Sequence, residues 1–511
     1  MTGGARPSFA ALVALLLAAT SETASAQRWF IEPSIATRVA ATSNTFLGGP
    51  AAESDVIIGV KPQLAIRGDS PGLHVAGAIG VDSVNYTRGT LQNVLLPQGD
   101  LLARVTAVER FFFIEGAVRA LQTSLDPFGA RPSGSSTQNT VTSTQYRISP
   151  YIETEPLRGF HLRARSENVK TSQNGAALSL SESVARTYFG HHTASVEQDP
   201  RPFGWRIEGD RSSTRFQGEA QPITIDVARA IVNYAIDDTL SFGLRAGAER
   251  NNFILTDGSS SSGPIYGGQL LWQPTERTSL SFSGEHRFFG SSWNLTFSHR
   301  NPSVAWNVTA SRVIDTTPQS LLELPPTDNV AALLDSILTT RFPNPIDRAK
   351  QVQDLINLRG LPSSIQSAIS IIAPRLSISN TVSATAALLG TTSTLALSVF
   401  YARQRDALDT GPLATGTAAT NNKQWGGSLA YSRRMSPTVD ATFALEYTRI
   451  DALDEVLAGG RSKQAGARGQ IGVRLDSKST AQFGVQYRKL GSNIVVSGDE
   501  TMVFASLVHT F

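Results

Sequence analysis

The sequence predicts an all-β chain: a transmembrane antiparallel β-barrel of about 22 strands, within a range of about 18–24, carrying one helical insertion in a long loop. Three observations predict it. Segments in the middle and C-terminal parts alternate apolar and polar residues over about ten positions, the length a tilted strand needs to cross a bilayer. The connections between them alternate between short turns and long polar loops. The chain begins with an export signal and ends on a strand with an aromatic carboxy terminus.

The first element is the export signal. Arg6 precedes an apolar run from Phe9 to Ala19, and Ala24-Ser25-Ala26 precedes Gln27, which predicts a secretory signal peptide over residues 1–26 with an Ala-x-Ala cleavage site. Its apolar run is too short to span a membrane. Cleavage removes Arg6 and Glu22, one charge of each sign, so the mature chain keeps the net charge of +3 set by 45 Lys+Arg against 42 Asp+Glu. No basic run stands out, which argues against a nucleic-acid partner. Cys 0 excludes a disulfide framework and a lipid-modified cysteine. A mean hydropathy of −0.10 is too polar for a bundle of transmembrane helices.

The mature barrel, residues 27–511, starts with a strand near Trp29 to Val39. Ile223–Ile236 and Gln145–Tyr151 alternate too poorly to assign a face. The clearest strand is Ser279–Phe288, where Leu280, Phe282, Gly284, His286 and Phe288 share one face and Ser279, Ser281, Ser283, Glu285 and Arg287 the other. Trp293, Leu295 and Phe297 oppose Asn294, Thr296, Ser298 and Arg300. Val439, Ala441, Phe443, Leu445 and Tyr447 oppose Asp440, Thr442, Glu446 and Thr448, and Phe483, Val485 and Tyr487 oppose Gln482, Gln486 and Arg488. Trp293, Trp425, Tyr447 and Tyr487 suit an external aromatic girdle; Tyr431 and Trp272 suit a periplasmic one. The last strand, Asp499–Phe511, puts Val503, Ala505, Leu507, His509 and Phe511 outward, turns Phe504 and Val508 inward, and makes Phe511 the candidate assembly signal for the barrel-assembly machinery.

Short turns are expected at Arg67–Gly72, Val108–Phe111, Glu155–Gly159, Gln198–Phe203, Ile236–Thr239, Gln273–Thr278, Arg300–Ser303, Gly390–Ser393, Met435–Thr438 and Asp476–Thr480, most of them holding Pro, Gly, Asp or Asn. Long loops lie between them, among them Leu125–Thr144, Val169–Ser183 and Asp406–Lys423. Short periplasmic turns and long external loops then leave both termini on the periplasmic side.

One long loop breaks the pattern. Residues 316–374 have helical spacing: a helix capped by Asp328 or Asn329 and running through Leu338, a second over Pro345–Arg359, and a third from Ser363 or Ser364 to Ala373. Their apolar faces need a surface to pack on. Two placements fit, a plug folded into the lumen and a cap lying over the mouth.

No nucleotide, metal or nucleophile motif stands out. His191 and His192 are adjacent, so on a strand they point to opposite faces. No cofactor and no enzymatic activity are expected. The informative charges are those on polar faces: Arg245, Glu249, Glu285, Arg287, Arg300, Glu446, Arg474 and Arg488, the candidate lumen-lining set. They predict ion pairs between strands and a hydrated wall suited to an oligosaccharide, with an arginine excess that would suit an acidic one.

Several motifs carry a resemblance. They are the W-x-P-x-x-R-T turn at Trp272–Thr278, H-R-F-F-G at His286–Gly290, His299 to Pro302, Asp126-Pro127-Phe128-Gly129 and Ser149-Pro150-Tyr151. With these the chain resembles the outer-membrane β-barrel proteins associated with the PEP-CTERM/exosortase system, departing at Ala41-Thr42-Ser43-Asn44 from the T-D-N that family usually shows. The resemblance implies a Gram-negative outer-membrane protein linked to exopolysaccharide production, a channel or accessory for export, with polysaccharide and periplasmic export components as partners. A general or solute-specific porin, and a barrel enzyme or non-conducting scaffold, are the alternatives.

Overall fold

In the computed structural model the chain forms 22 antiparallel strands, each hydrogen-bonded to its neighbour in sequence. The structure describes residues 28–511 apart from 48–51, 125, 132–138, 175–185, 218–220, 256–257, 259–260, 408–420, 455–456 and most of 317–375, where 329–339, 341–343, 347–348, 351–352, 355–356 and 361 are described. The signal peptide and the third expected helix lie outside the described residues. The strands are β1 (Arg28–Thr42), β2 (Asp55–Ser70), β3 (Leu73–Tyr86), β4 (Val94–Val108), β5 (Phe112–Ser124), β6 (Thr140–Leu157), β7 (Phe160–Asn174) and β8 (Arg186–Gln198). Next come β9 (Phe203–Phe216), β10 (Ile223–Ala235), β11 (Leu240–Asn251), β12 (Gly263–Thr275), β13 (Thr278–Arg287), β14 (Gly290–Arg300) and β15 (Val304–Thr316). After helix α1 (Asn329–Leu338) follow β16 (Leu376–Leu389), β17 (Ser393–Asp406), β18 (Asn422–Arg434), β19 (Val439–Ala452), β20 (Arg461–Arg474), β21 (Ser479–Ser492) and β22 (Gly498–Thr510).

The ring closes where β22 pairs with β1, from Ser34 opposite Thr510 to Thr42 opposite Met502. Closure leaves no strand edge unpaired, the condition for a sheet in lipid. Every expected short turn is present. The long loops are shorter than expected because pairing continues past the membrane: β7 runs on to Asn174 and β6 begins at Thr140, where the sequence suggested loop. β13 and β14 are joined on the loop side by Phe288 and Phe289 alone.

The outer surface is apolar. Leu244 is 70% exposed and Ile207, Ile148, Val503 and Phe483 more than half exposed, on the strand face opposite the charged residues. Tyr431 and Trp272 are exposed beside the short turns, where Phe203, Tyr234 and Phe242 extend the periplasmic girdle with ring centroids 4.9 and 5.6 Å apart. Trp425 and Tyr447 meet at 5.4 Å toward the opposite end, and Tyr487 is exposed on the same face. On β22, His509 turns outward and shares a hydrogen bond with Ser479, whereas Phe504 is buried inside beneath the Arg468 guanidinium, 4.4 Å from its ring. A sheet of this size, closed and apolar on the outside, is a transmembrane barrel of the outer-membrane type.

Candidate functional site: the lumen

The two segments of ambiguous face decide how the lumen is built. On β10, Ile225, Val227 and Ile231 are buried inside, so Arg229 on the same face points into the lumen. On β6, Gln145, Ser149 and Tyr151 are the buried, inward residues, and Tyr146 and Ile148 face lipid. Apolar residues on both faces hid the alternation.

With the faces fixed, the wall from β6 to β13 carries a continuous ladder of ion pairs. It starts at Arg163, which lies 3.1 Å from Glu153 and 3.6 Å from Glu197. Arg206 joins Glu197 at 3.6 Å to Glu208 at 2.9 Å. Arg229 then bridges Glu208 at 3.5 Å and Glu285, donating to both oxygens of the latter at 2.9 and 2.7 Å. Arg245 lies between the same two carboxylates at 3.8 and 3.6 Å. Arg287 ends the ladder, 3.8 Å from Glu285 and donating to Glu249 at 2.6 Å. Arg163, Arg206, Arg229, Arg245 and Arg287 face Glu153, Glu197, Glu208, Glu249 and Glu285, so the ladder is neutral as a whole.

The expected lumen-lining residues all lie on inward faces, and they divide into groups. Arg245, Glu249, Glu285 and Arg287 belong to the ladder. Arg488 lies 3.8 Å from Glu500 and donates to the carbonyl of Arg131 at 3.1 Å, next to Glu446 around a small recess near the external mouth. Arg474 ends β20 on the inward face, half-buried. Arg300, the last residue of β14, donates to the carbonyl of Ser336 in α1 at 3.3 Å. The arginine excess of that set does not describe the ladder, because Glu153, Glu197 and Glu208 balance it. Those three, with Arg163, Arg206 and Arg229, went unnoticed in the sequence, although Arg206-Ile207-Glu208 has the two-residue spacing of one strand face.

Beside the ladder lies a lumenal recess of about 490 Å³ lined by Arg104, Glu115, Tyr151, Arg165 and Asp210 with ladder members. Tyr151 stacks on Phe113 at 5.0 Å between ring centroids, and the Arg165 guanidinium covers its ring at 4.3 Å. His191 lies 2.6 Å from Asp210 on the inner face, and His192 lies outside, as adjacency requires. Among the described residues no three His, Asp or Glu side chains form a metal-binding group.

The sector of the wall from β15 to β18 is small and nearly neutral. Thr309–Ser383 and Ser311–Thr381 hydroxyls pair at 2.7 and 2.8 Å across β15 and β16. Lower down, Ala305, Ala387, Ala396 and Ala430 are buried because α1 lies on them with Val330, Leu334, Ile337 and Leu338. These alanines are on inward faces within a few residues of the short turns, whereas Trp306, Leu388 and Leu397 beside them face lipid. The insertion leaves the external end of β15 yet seats its first helix inside the lumen at the periplasmic end, not over the mouth. Residues 347–348, 351–352 and 355–356 of the second segment are helical, and Val352 and Ile356 join the same cluster. Arg348 holds Asp335 at 2.8 Å.

A second obstruction sits at the external end. Phe128, 1% exposed, inserts between Ile450, Leu457 and Ile494. Ser462 donates to its carbonyl at 2.8 Å and Gln464 to that of Gly129 at 2.7 Å, so the β5–β6 loop is latched across the mouth onto β20. Burial holds Asp126 above the usual carboxylate range even though it accepts the Phe128 N–H at 2.9 Å. Burial also pushes the Arg131 guanidinium down to about 10, still charged at neutral pH.

Geometry of this kind defines an outer-membrane β-barrel with a partly filled, hydrogen-bonding lumen. No protein-family model matches the chain, and no curated protein matches it either. Among solved structures it is similar to the FrpB iron transporter of Neisseria meningitidis, apoprotein form, at 12% identity over 94% of this chain and 81% of that one, TM-score 0.47. It is also similar to the outer membrane protein OpdK of Pseudomonas aeruginosa, at 9% identity over 94% and 99% and TM-score 0.35. The ferric citrate transporter FecA in its unliganded form gives 10% identity over 94% and 79%, with TM-score 0.41.

Proposed function

We propose that this barrel is an outer-membrane channel for a hydrated, hydroxyl-rich solute, and that it serves the export of surface polysaccharide with periplasmic export components as partners. The observation that carries the reading is the lumenal recess beside the ladder. Its arginines and carboxylates are held in place by one another, so they offer fixed donors and acceptors, and Tyr151, stacked on Phe113 beneath the Arg165 guanidinium, holds that guanidinium in position. An array of fixed hydrogen-bonding groups suits the hydroxyls of pyranose rings, and the ladder's neutrality favours a neutral or weakly charged chain over a strongly acidic one. The family resemblance read in the sequence supports the link to exopolysaccharide. A solute-specific porin is the second reading, favoured by the small volume of the recess.

Two measurements test this. Deleting the gene should lower cell-surface polysaccharide; unchanged export overturns the export role. Current through the pure protein in a planar bilayer should be blocked by neutral oligosaccharides added to one side, and Tyr151→Ala should weaken the block. Unblocked current overturns the saccharide reading and leaves the channel.

A further inference from the structure

The outer wall carries a furrow that the lumen does not use. Ala103, Gly116, Ile148, Asn168, Gly190 and Ser213 are successive cross-strand partners on the lipid-facing side of β4 to β9. Three of the six have little or no side chain, so the row is a trough, with a volume of about 1090 Å³. Five strand spacings make it roughly 24 Å long. Its β4 end lies against β3, where Gly77 and Gly99 take φ of 145° and 150° and their strands approach so closely that a Cβ would meet the facing carbonyls. Leu101, Val105 and Ile114 line that end.

The other end is cationic. Lys170 and Arg215 are the cross-strand neighbours of Tyr188 on either side, and Arg186 lies two residues above it. All four are exposed on the outward face near the loop ends of their strands. Arg211, next along β9, has Asp226 at 3.6 Å; among the described residues Lys170, Arg186 and Arg215 have no such carboxylate. The Lys170 ammonium rests 5.8 Å above the Tyr188 ring. Tyr146 and Tyr188, exposed in one row, mark the level of the external interface. Apolar trough below that level and cations without a carboxylate among the described residues at and above it match the two ends of an anionic amphiphile. A second copy docked by two-fold symmetry would set these cations against themselves.

We propose that the furrow binds a phosphorylated, multiply acylated glycolipid of the outer leaflet. Its acyl chains lie along Ala103, Gly116 and Gly190, and its phosphates meet Lys170, Arg186 and Arg215.

The test uses full-length protein in detergent, titrated with bis-phosphorylated lipid A and read by native mass spectrometry. One lipid A per barrel is expected. Gly116→Leu fills the trough without strain, because a Cβ there meets nothing nearer than the Arg147 carbonyl at 4.0 Å. It should weaken binding about tenfold, as should the double substitution Lys170→Gln, Arg215→Gln. Dephosphorylated lipid A should bind more weakly and no longer distinguish the charge variant from wild type. Heat-modifiable gel migration confirms that each variant is folded. Equal binding by folded variants, or phosphatidylglycerol binding as tightly as lipid A, overturns the proposal. So does a lipid-independent oligomer that the furrow substitutions dissociate, which would make the furrow a contact between copies.

Discussion

Leu334→Asp should open the channel without opening the barrel. Leu334 is fully buried between α1 and the alanine seat formed by Ala305, Ala387, Ala396 and Ala430. Removing it forfeits about 2–3 kcal/mol of apolar burial. The new carboxylate would meet only methyl groups there, and keeping it buried costs several kcal/mol more, whether it stays ionised or takes up a proton. A penalty of about 4 kcal/mol shifts the docked-to-undocked ratio roughly a thousandfold. The sheet is insulated from the change, because its own hydrogen bonds close the ring. Leu334→Ala should have an intermediate effect, and Ala332→Asp, on the exposed side of α1, controls for added charge in the lumen. Single-channel conductance in planar bilayers reads the outcome, with heat-modifiable migration as the folding control. Leu334→Asp and deletion of residues 320–373 should both conduct more than wild type and than Ala332→Asp. If both variants are folded and conduct as wild type does, α1 is not the constriction.

Glu285→Ala removes the shared counter-ion of Arg229, Arg245 and Arg287, whose side chains are 14, 15 and 11% exposed. Leaving these charges under-compensated should cost about 3–5 kcal/mol, read as a lower denaturant midpoint in detergent; an unchanged midpoint would mean that water fills the gap. The mouth latch should depend on pH with a defined sign. The folded-state pKa of Asp126 is raised by burial, so the latched form holds its proton more tightly and the latch loosens as pH rises from the unfolded value of 3.8 through the raised one. Amide exchange at residues 126–131 should show this, and Asp126→Asn should abolish the dependence while keeping the bond to Phe128. Phe128→Ala should release the latch at every pH, at a local cost of about 3–5 kcal/mol. Deleting Phe511, whose N–H bonds to the Pro33 carbonyl at 3.0 Å and whose ring meets His509, should lower the amount of barrel in the outer membrane; normal insertion would remove it as the assembly signal.

What could be read in advance follows from how local each interaction is. The turns were legible because their chemistry is self-contained. Asp237 accepts the Thr239 and Leu240 N–H groups at 2.7 and 2.9 Å, and Asn301 and Asp476 do the same for their own turns. With the turns in place, strand number follows. The ladder was half legible because Glu285 and Arg287 lie on a strand that alternates cleanly, whereas Arg229 lies among Ile225, Val227 and Ile231, apolar residues that also face inward. Its pairing with Glu285 links β10 to β13, two strands not adjacent in the sheet, and no period within either strand encodes that. Phe128 belongs to the Asp126–Gly129 motif, but its role is not encoded locally, since its socket comes from residues more than 300 positions away.

The insertion's position follows from the division of the wall. A helix with an apolar face cannot dock on the ladder side, where each guanidinium and carboxylate already has partners and would have to be desolvated beneath it. The β15–β18 side offers alanines at the periplasmic end and paired hydroxyls above them, a surface with small steps and satisfied polar groups. Arg300 stands beside this seat and uses its charge on the Ser336 carbonyl, near the C-terminal end of α1, where the helix dipole favours a cation. The ladder from β6 to β13 therefore stiffens the barrel, and the small-residue sector from β15 to β18 holds α1. Because the two share few residues, loss of the plug and loss of the ladder should be separable. Leu334→Asp should change conductance at constant barrel stability, and Glu285→Ala should change stability with the plug still seated.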